Sequence, residues 1–364
     1  MTSSRLYLSL FLASTFLGGC QTQAAEPGQR AAKIRKAAVA ADDPGEFANF
    51  AQWRDVSAFI DDMVANHGFN RTDLEVTLSK VRFVDSAIQL MKPAPAGRPK
   101  NWAAYRARFV EPVRINAGVS FWNDYGDALQ RAEAQYGVPA EIIVGILGVE
   151  TVYGRNTGNF RVMDAVTTLA FAYPDTPTRA ARMSYFRGEL ANTLLFARES
   201  GIDPFSLRGS YAGAVGWPQF MPGSIRKYAV DFDGDGMIDL RNSPVDAVGS
   251  IANFLVAHGW KRGEPLVFPA SLDAATGNGW EMFLNQGLEA KFRVDEIRAA
   301  GIVPTIEPPA DMLYGLVDLQ NGSAPTEYWL GANNFFAITQ YNRSFFYAMS
   351  VIDLARAVRA ARGN

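Results

Sequence analysis

The stretch Pro139-Ala-Glu-Ile-Ile-Val-Gly-Ile-Leu-Gly-Val-Glu-Thr-Val-Tyr-Gly-Arg155 sets Glu150 behind an almost wholly apolar run. Proline suits the first turn of a helix and glycine its end, so Pro139 and Gly154 bracket a helix of about four turns with Glu150 in the last one. A carboxylate flanked by Ile146, Leu147 and Val149 is desolvated, and the negative end of the helix also opposes its ionisation. Both effects raise its pKa and leave a carboxylic acid protonated near neutral pH. The same residues also fit a glutamate that faces solvent on an amphipathic helix, and the rest of the chain has to decide between the two.

The 364 residues are enough for two or three structural units, because single cores stop growing at about 250–300 residues. With 48% hydrophobic and 20% charged residues the composition is that of a globular protein, and a formal net charge of -2 gives no long-range attraction for nucleic acid. The 32 glycines and 12% aromatic residues suit a carbohydrate groove as well as a large core. Residues 1–20 read as a signal: Arg5 precedes the apolar run Leu6 to Leu17, which closes on Leu17-Gly18-Gly19-Cys20. The run is shorter than the ~20 residues a spanning helix needs. The stretch resembles a bacterial lipoprotein signal that leaves Cys20 as a lipidated N-terminus, although Gly18 is less usual at its place and leaves ordinary secretion as the alternative. Cys20 is the single cysteine, so no intramolecular disulfide forms. Two or more acyl chains anchor stably where one does not. Gln21 is not the aspartate of inner-membrane retention, which directs the expectation to the periplasmic face of a Gram-negative outer membrane.

Residues 21–45 read as a flexible tether. Phe50, Trp53, Val56, Ile60, Met63 and Val64 then recur at helical spacing, and Thr72 with Glu75 predicts a capping box for the next helix. A loop at 92–99 leads to a helical pattern from Arg114 to Tyr136 with Val119, Trp122, Tyr125 and Leu129 on one face. Beyond Gly154, Asp164 is expected to cap a helix beginning at Ala165, and another helix runs from Arg179 to Glu199. The segment from Gly209 to Ser224 is dense in small residues and prolines, which lets backbone approach a ligand while Tyr211, Trp217 and Phe220 offer flat faces. Residues 261–331 change to short apolar segments broken by Gly, Pro and Asn, as in a small β-containing domain. A last helix is expected within Asn333 to Arg362.

Asp231-Phe-Asp-Gly-Asp-Gly-Met-Ile-Asp239 is the strongest local signal. Alternate aspartates set oxygens on one side of a tight turn that Gly236 allows, as at the start of an EF-hand calcium loop. Asp231, Asp233 and Asp235 would ligate by side chain and Met237 by its carbonyl. The twelfth position is Asn242 where an EF-hand has a bidentate glutamate, and Asp246, in the first turn of a helix opened by Pro244 and running to His258, is the expected replacement. A bare acidic turn and a sodium site are the alternatives.

Four separated pieces, Gly148 to Arg155, Ser210 to Ser224, the Asp231 loop and Tyr341-Asn-Arg-Ser-Phe-Phe-Tyr347, together resemble the membrane-bound lytic murein transglycosylase B family, in that family's order and from about residue 47 onward. The resemblance implies a mainly α protein. It has a helical domain (46–115, joined by the C-terminal helix 342–364), a lysozyme-like catalytic core (116–260) with an EF-hand-like loop (231–246), a small β-containing domain (261–331) and a return to the core (332–341). It implies cleavage of the MurNAc-GlcNAc β-1,4 bond to 1,6-anhydro ends, with Glu150 as single acid then base, and a structural calcium ion with no organic cofactor. Ser210 and Gln219 are then expected to hydrogen-bond the sugar or its acetamido group, and Tyr341, Asn342, Tyr347 and Tyr105 to line the cleft. Phe254 stands where related sequences carry tyrosine. The expected partners are peptidoglycan strands and, through Cys20, a membrane, for a monomer. A hydrolytic muramidase or a non-catalytic peptidoglycan-binding scaffold are the rival readings.

Overall fold

The computed structural model describes residues 54–93, 97 and 99–363. The signal at 1–20, Cys20, the tether at 21–45, and Phe50 and Trp53 of the first apolar stripe lie outside the described residues. Contacts group the chain into two compact units, the described residues of 1–95 with 157–227, and those of 96–156 with 228–364.

In chain order the first unit begins with α1 (Arg54–His67), α2 (Arg71–Ser79) and α3 (Asp85–Met91). The expected capping box at Thr72 and Glu75 is not what starts α2. Asn70, in extended conformation, accepts from the Asp73 amide and caps the helix, which leaves Thr72 inside it. The second unit opens with α4 (Trp102–Arg106), α5 (Pro112–Asp124), α6 (Gly126–Tyr136) and α7 (Ala140–Thr151). The single helix expected from Arg114 to Tyr136 is two. Tyr125, at φ -119° and ψ 25°, ends α5 and starts α6, and the break lets Phe121 and Leu129 both turn into the core.

The chain then completes the first unit with β1 (Phe160–Arg161), α8 (Val162–Ala172), α9 (Arg179–Glu199), β2 (Arg208–Gly209) and α10 (Pro222–Tyr228). β1 and β2 pair antiparallel. Asp164 does not cap a helix at Ala165, because α8 starts three residues earlier. Its buried carboxylate sits in the first turn, ion-paired with Arg161 (2.6 Å) and accepting from the Arg82 amide (2.9 Å), a favourable place for negative charge. The helix expected over 179–199 has those bounds.

The second unit resumes with α11 (Pro244–Ala257), β3 (Val267–Leu272), β4 (Phe292–Arg293), α12 (Val294–Ala299), β5 (Ile302–Pro304), β6 (Leu313–Asn321), β7 (Ala324–Gly331), α13 (Asn333–Thr339) and α14 (Phe345–Arg362). The five strands form one antiparallel sheet in the order β4-β6-β7-β3-β5, with the β6-β7 hairpin at its centre. One face covers a core of Phe283, Ile297, Ile302, Tyr314, Leu316 and Leu330. The last helix expected within 333–362 is interrupted after Thr339. Ser344 adopts an extended backbone and caps α14 through the Tyr347 amide (3.3 Å), so Tyr341 and Asn342 fall in a turn.

At the centre of this unit α7 is buried from Ile142 to Val149 without interruption. A helix apolar all round needs neighbours on every side, and α14 approaches it closely because Gly145 and Gly148 face it. A Cβ at Gly145 would lie 2.5 Å from the Val351 carbonyl oxygen, which is backbone and has nowhere to move. Gly145→Ala is therefore expected to lower stability by about 1–3 kcal/mol, the usual range for overpacking a core, read as a shift in urea midpoint at unchanged slope.

Candidate active site

Helix α7 ends at Thr151, earlier than the Gly154 expected from sequence, because Val152 and Tyr153 already hold left-handed backbone, at φ 53° and 55°. Thr151 secures the end: its Oγ1 accepts from the Gly154 amide (3.0 Å) and its carbonyl from the Asn156 amide (2.9 Å). Glu150 is thus in the final turn, half-buried. Burial pushes its pKa up from 4.5 to about 7, against a smaller opposing effect from the Tyr347 hydroxyl, which donates to Oε1 at 2.6 Å. Neither of these influences is a carboxylate.

Around Glu150 the second unit gathers tyrosines. Tyr347 is buried at the start of α14 and stacks on Tyr341 (6.2 Å between centroids, 13° between planes), and Phe254 meets Tyr341 edge-on at 4.9 Å. Burial first, and Glu150 second, hold the Tyr341 and Tyr347 hydroxyls well above the usual phenol range. They stay neutral and able to donate. Tyr105 belongs to the same group. Burial raises it to about 12, the cation of Arg108 over its ring (4.4 Å) opposes, and Glu150 adds to the rise. Asn342 lies in the turn between α13 and α14, half-buried, with its carbonyl accepting from the Ser344 amide.

Ser210 and Gln219 belong to the first unit. Ser210 is buried, and its Oγ accepts from the Ala214 amide (3.0 Å), which leaves the hydroxyl hydrogen to donate elsewhere. Val215 and Phe220 form a bridge that closes a tight loop, and Gln219 within it takes φ 51°. Its Nε2 donates to the carbonyls of Gly216 (2.9 Å) and Thr157 (3.2 Å). Gly209 is obligatory here, because a Cβ would strike the Ala214 carbonyl. Of the three flat faces expected in this segment, Phe220 is buried at 2% exposure and offers none, while Tyr211 and Trp217 are half-buried.

Sequence reading missed Glu189, a buried carboxylate on α9. Its Oε2 accepts from the Gly223 amide at 2.8 Å and so ties down the end of the Ser210 segment. Burial raises its pKa, with the Gly223 bond and Tyr185 opposing. The available signal was its place between Phe186 and Thr193 on the inward face of α9.

In the aspartate loop the structure brings Asp231, Asp233 and Asp246 together, with one oxygen from each within 4.8 Å of the others. Asp231 accepts from the Gly234 (2.7 Å) and Gly236 (2.8 Å) amides, and Asp246, 1% exposed, from those of Phe232 (2.7 Å) and Asp239 (2.9 Å). Asp235 accepts from the Met237 amide and lies outside this trio. Asn242 turns to Asp239 instead, at 2.8 Å. Three carboxylates held this close by backbone amides form a hard-oxygen set that suits a calcium-type cation.

Residues 49–356 match the Transglycosylase SLT domain family. Membrane-bound lytic murein transglycosylase B of Escherichia coli (strain K12) is 44% identical over 327 residues, 87% of this chain and 85% of that protein. Escherichia coli lytic transglycosylase Slt35 in complex with calcium superposes with a TM-score of 0.75 at 44% identity, covering 87% of this chain and 96% of that one. SltB3 from Pseudomonas aeruginosa in complex with NAG-NAM-pentapeptide does so at 0.69 and 29%, covering 84% and 78%. The chain belongs to the transglycosylase SLT family and is a lytic murein transglycosylase acting on peptidoglycan. Its helix-rich body with a small β-sheet is the lysozyme-like fold of that family.

The Glu150 pKa has a definite sign in stability. It is raised on folding from 4.5 to about 7, so the stabilisation carried by the neutral form is complete below about 4.5 and is lost as pH rises through about 7. Glu150→Gln removes that loss, and its Tm advantage over wild type is expected to grow between about pH 5 and pH 8 in calorimetry. Tyr347→Phe removes a donor to the charged form. It is expected to raise the Glu150 pKa further by up to about one unit, read from the pH dependence of Tm against Glu150→Gln.

Proposed function

We propose that Glu150 acts first as general acid and then as general base in a non-hydrolytic cleavage of the MurNAc-GlcNAc bond. The observation that carries this is a carboxyl raised to about 7 by burial and bonded to a neutral tyrosine, with no carboxylate of the described residues among the groups that shift it. Hydrolytic glycosidases ordinarily pair two carboxylates, one acting on the leaving oxygen and one on water or the anomeric carbon. With one, the proton given to the glycosidic oxygen must be regained from the substrate itself. Glu150 protonates that oxygen as the bond breaks, and the muramoyl 2-acetamido group stabilises the cation. The resulting carboxylate, held by Tyr347, takes the proton of the same sugar's C6 hydroxyl, whose oxygen closes the 1,6-anhydro ring. Each proton transfer is worth about 10²–10⁴-fold, and the intramolecular hydroxyl has a high effective concentration compared with water.

Ser210 and Gln219 hydrogen-bond the sugar in this reading, and Tyr105, Tyr341, Asn342 and Tyr347 line its binding surface. Glycan strands are the partner, a reading supported by the SltB3 complex with NAG-NAM-pentapeptide. The catalytic core is residues 116–260, the helical domain 46–115 with 342–364, and the β-containing part 261–331. Asp231, Asp233 and Asp246, with Asp235 and the Met237 carbonyl, hold calcium as a structural ion, supported by the calcium complex of Slt35. The protein works as a monomer, anchored through acylated Cys20 to the periplasmic face of the outer membrane. The membrane-bound description of the Escherichia coli relative supports the anchoring.

Mass spectrometry of digested sacculi tests the chemistry. Wild type yields 1,6-anhydro ends and Glu150→Gln yields none while still binding sacculi; reducing ends in their place would mean hydrolysis. For the metal, chelation is expected to lower the Tm while low-temperature turnover persists, and an unchanged melting curve would remove the structural role.

A further inference from the structure

Two residues beyond Glu150 the backbone holds a conformation that L side chains rarely adopt. Val152 and Tyr153 lie at φ 53° and 55°, and Gly154 follows at 80°. For a β-branched residue this is costly, and such strain persists only where the surroundings overdetermine it.

The Tyr153 ring supplies that determination. It is 7% exposed and stacks on Phe121 with centroids 5.5 Å apart and planes at 27°. It fills a slot that exists because two helices carry glycine there. A Cβ at Gly148 of α7 would come 2.5 Å from the Tyr153 hydroxyl, and one at Gly118 of α5 would strike the same oxygen. That hydroxyl has no hydrogen-bond partner among the described residues, so shape rather than polarity holds the ring. The main chain closes over it: Val152 N donates to Gly148 O (3.3 Å) and Tyr153 N to Leu147 O (3.2 Å). Arg114 Nε bonds Gly148 O as well (2.9 Å), which fixes the same turn from outside.

We propose that Tyr153 is a positioning residue of the reaction: its ring, wedged between Gly118 and Gly148, enforces the left-handed reversal after Thr151 and so sets where the Glu150 carboxyl meets the Tyr347 hydroxyl. The inference rests on Glu150 being the acid. Glu150 has no complete helical turn after it, so the direction of its side chain depends on how the helix is stopped. Without the wedge the last turn frays and the carboxyl leaves its 2.6 Å bond to Tyr347. A displacement of about 1 Å at a reacting group can cost up to about 10²-fold in rate.

The test compares Tyr153→Ala and Tyr153→Phe in the full chain on peptidoglycan. Tyr153→Ala is expected to lower kcat by about 10- to 100-fold with KM within about twofold, and to move the alkaline pH limb away from its wild-type place. Tyr153→Phe keeps the wedge and is expected to retain kcat and pH profile. A folded Tyr153→Ala with wild-type kcat and pH limb would overturn the proposal. So would a Tyr153→Phe as impaired as Tyr153→Ala, since the hydroxyl and not the ring would then act. If Tyr153→Ala is unfolded at the assay temperature, Tyr153→Leu, which lacks the flat ring that stacks on Phe121, is expected to lower kcat and move the pH limb in the same way, and wild-type values in it would overturn the proposal. Glu150→Gln runs alongside. An active Glu150→Gln defeats the acid assignment itself, whereas an inactive one with wild-type Tyr153→Ala defeats the positioning role alone.

Discussion

The close approach of α14 to α7 is the constraint on which the surroundings of Glu150 depend. Gly145 and Gly148 remove the side chains that would hold the two helices apart, and Val351, Leu354 and Ala355 of α14 occupy the space. The consequence falls at the ends of these helices. Tyr347, in the first turn of α14, reaches across to the last turn of α7 and donates to Glu150 at 2.6 Å. Any separation of the helices would lengthen that bond, so helix packing and proton chemistry are linked through two missing Cβ atoms.

In the proposed mechanism, that packing lets one carboxyl serve two proton transfers. An acid with an ordinary glutamate pKa would be ionised before the glycosidic bond could use its proton, whereas a fully desolvated one would not release it. Burial among apolar neighbours raises Glu150, and the neutral Tyr347 hydroxyl restrains the rise, leaving the group near 7. Tyr341 and Tyr105 contribute hydroxyls that remain protonated in the same surroundings. The aspartate loop is organised by a different rule. Its carboxylates converge because backbone amides and Ser243 hold them, with Asp246 as the buried post that accepts from the amides of Phe232 and Asp239.

Much of this was legible in the residues because it is local. The apolar run before Glu150 announces a buried helix, Gly201 marks the end of α9, and alternating aspartates around Gly236 announce a tight acidic turn. Errors arose where a local preference was outvoted. Thr72 and Glu75 have the spacing of a capping box, but Asn70 lies earlier and caps first. Asp164 is a good cap by type, yet Arg161 and the Arg82 amide engage it inside the first turn. Phe220 fits a flat face beside a ligand by type and is instead the partner of Val215 in closing a tight loop. Glu189 is hard to read because its helical spacing from Phe186 and Thr193 is a weak mark of burial for a glutamate.

The sequence by itself determined that a carboxylate stands at the end of an apolar helix, that an acidic loop follows, and to which family their order belongs. These depend on composition and on spacing within a few turns. Tertiary structure alone decided where α7 stops, which hydroxyl meets Glu150, and why Val152 and Tyr153 hold left-handed backbone. Those outcomes depend on Gly118, Tyr153 and Tyr347, far apart in the chain, and a contact between distant residues leaves no periodicity to read.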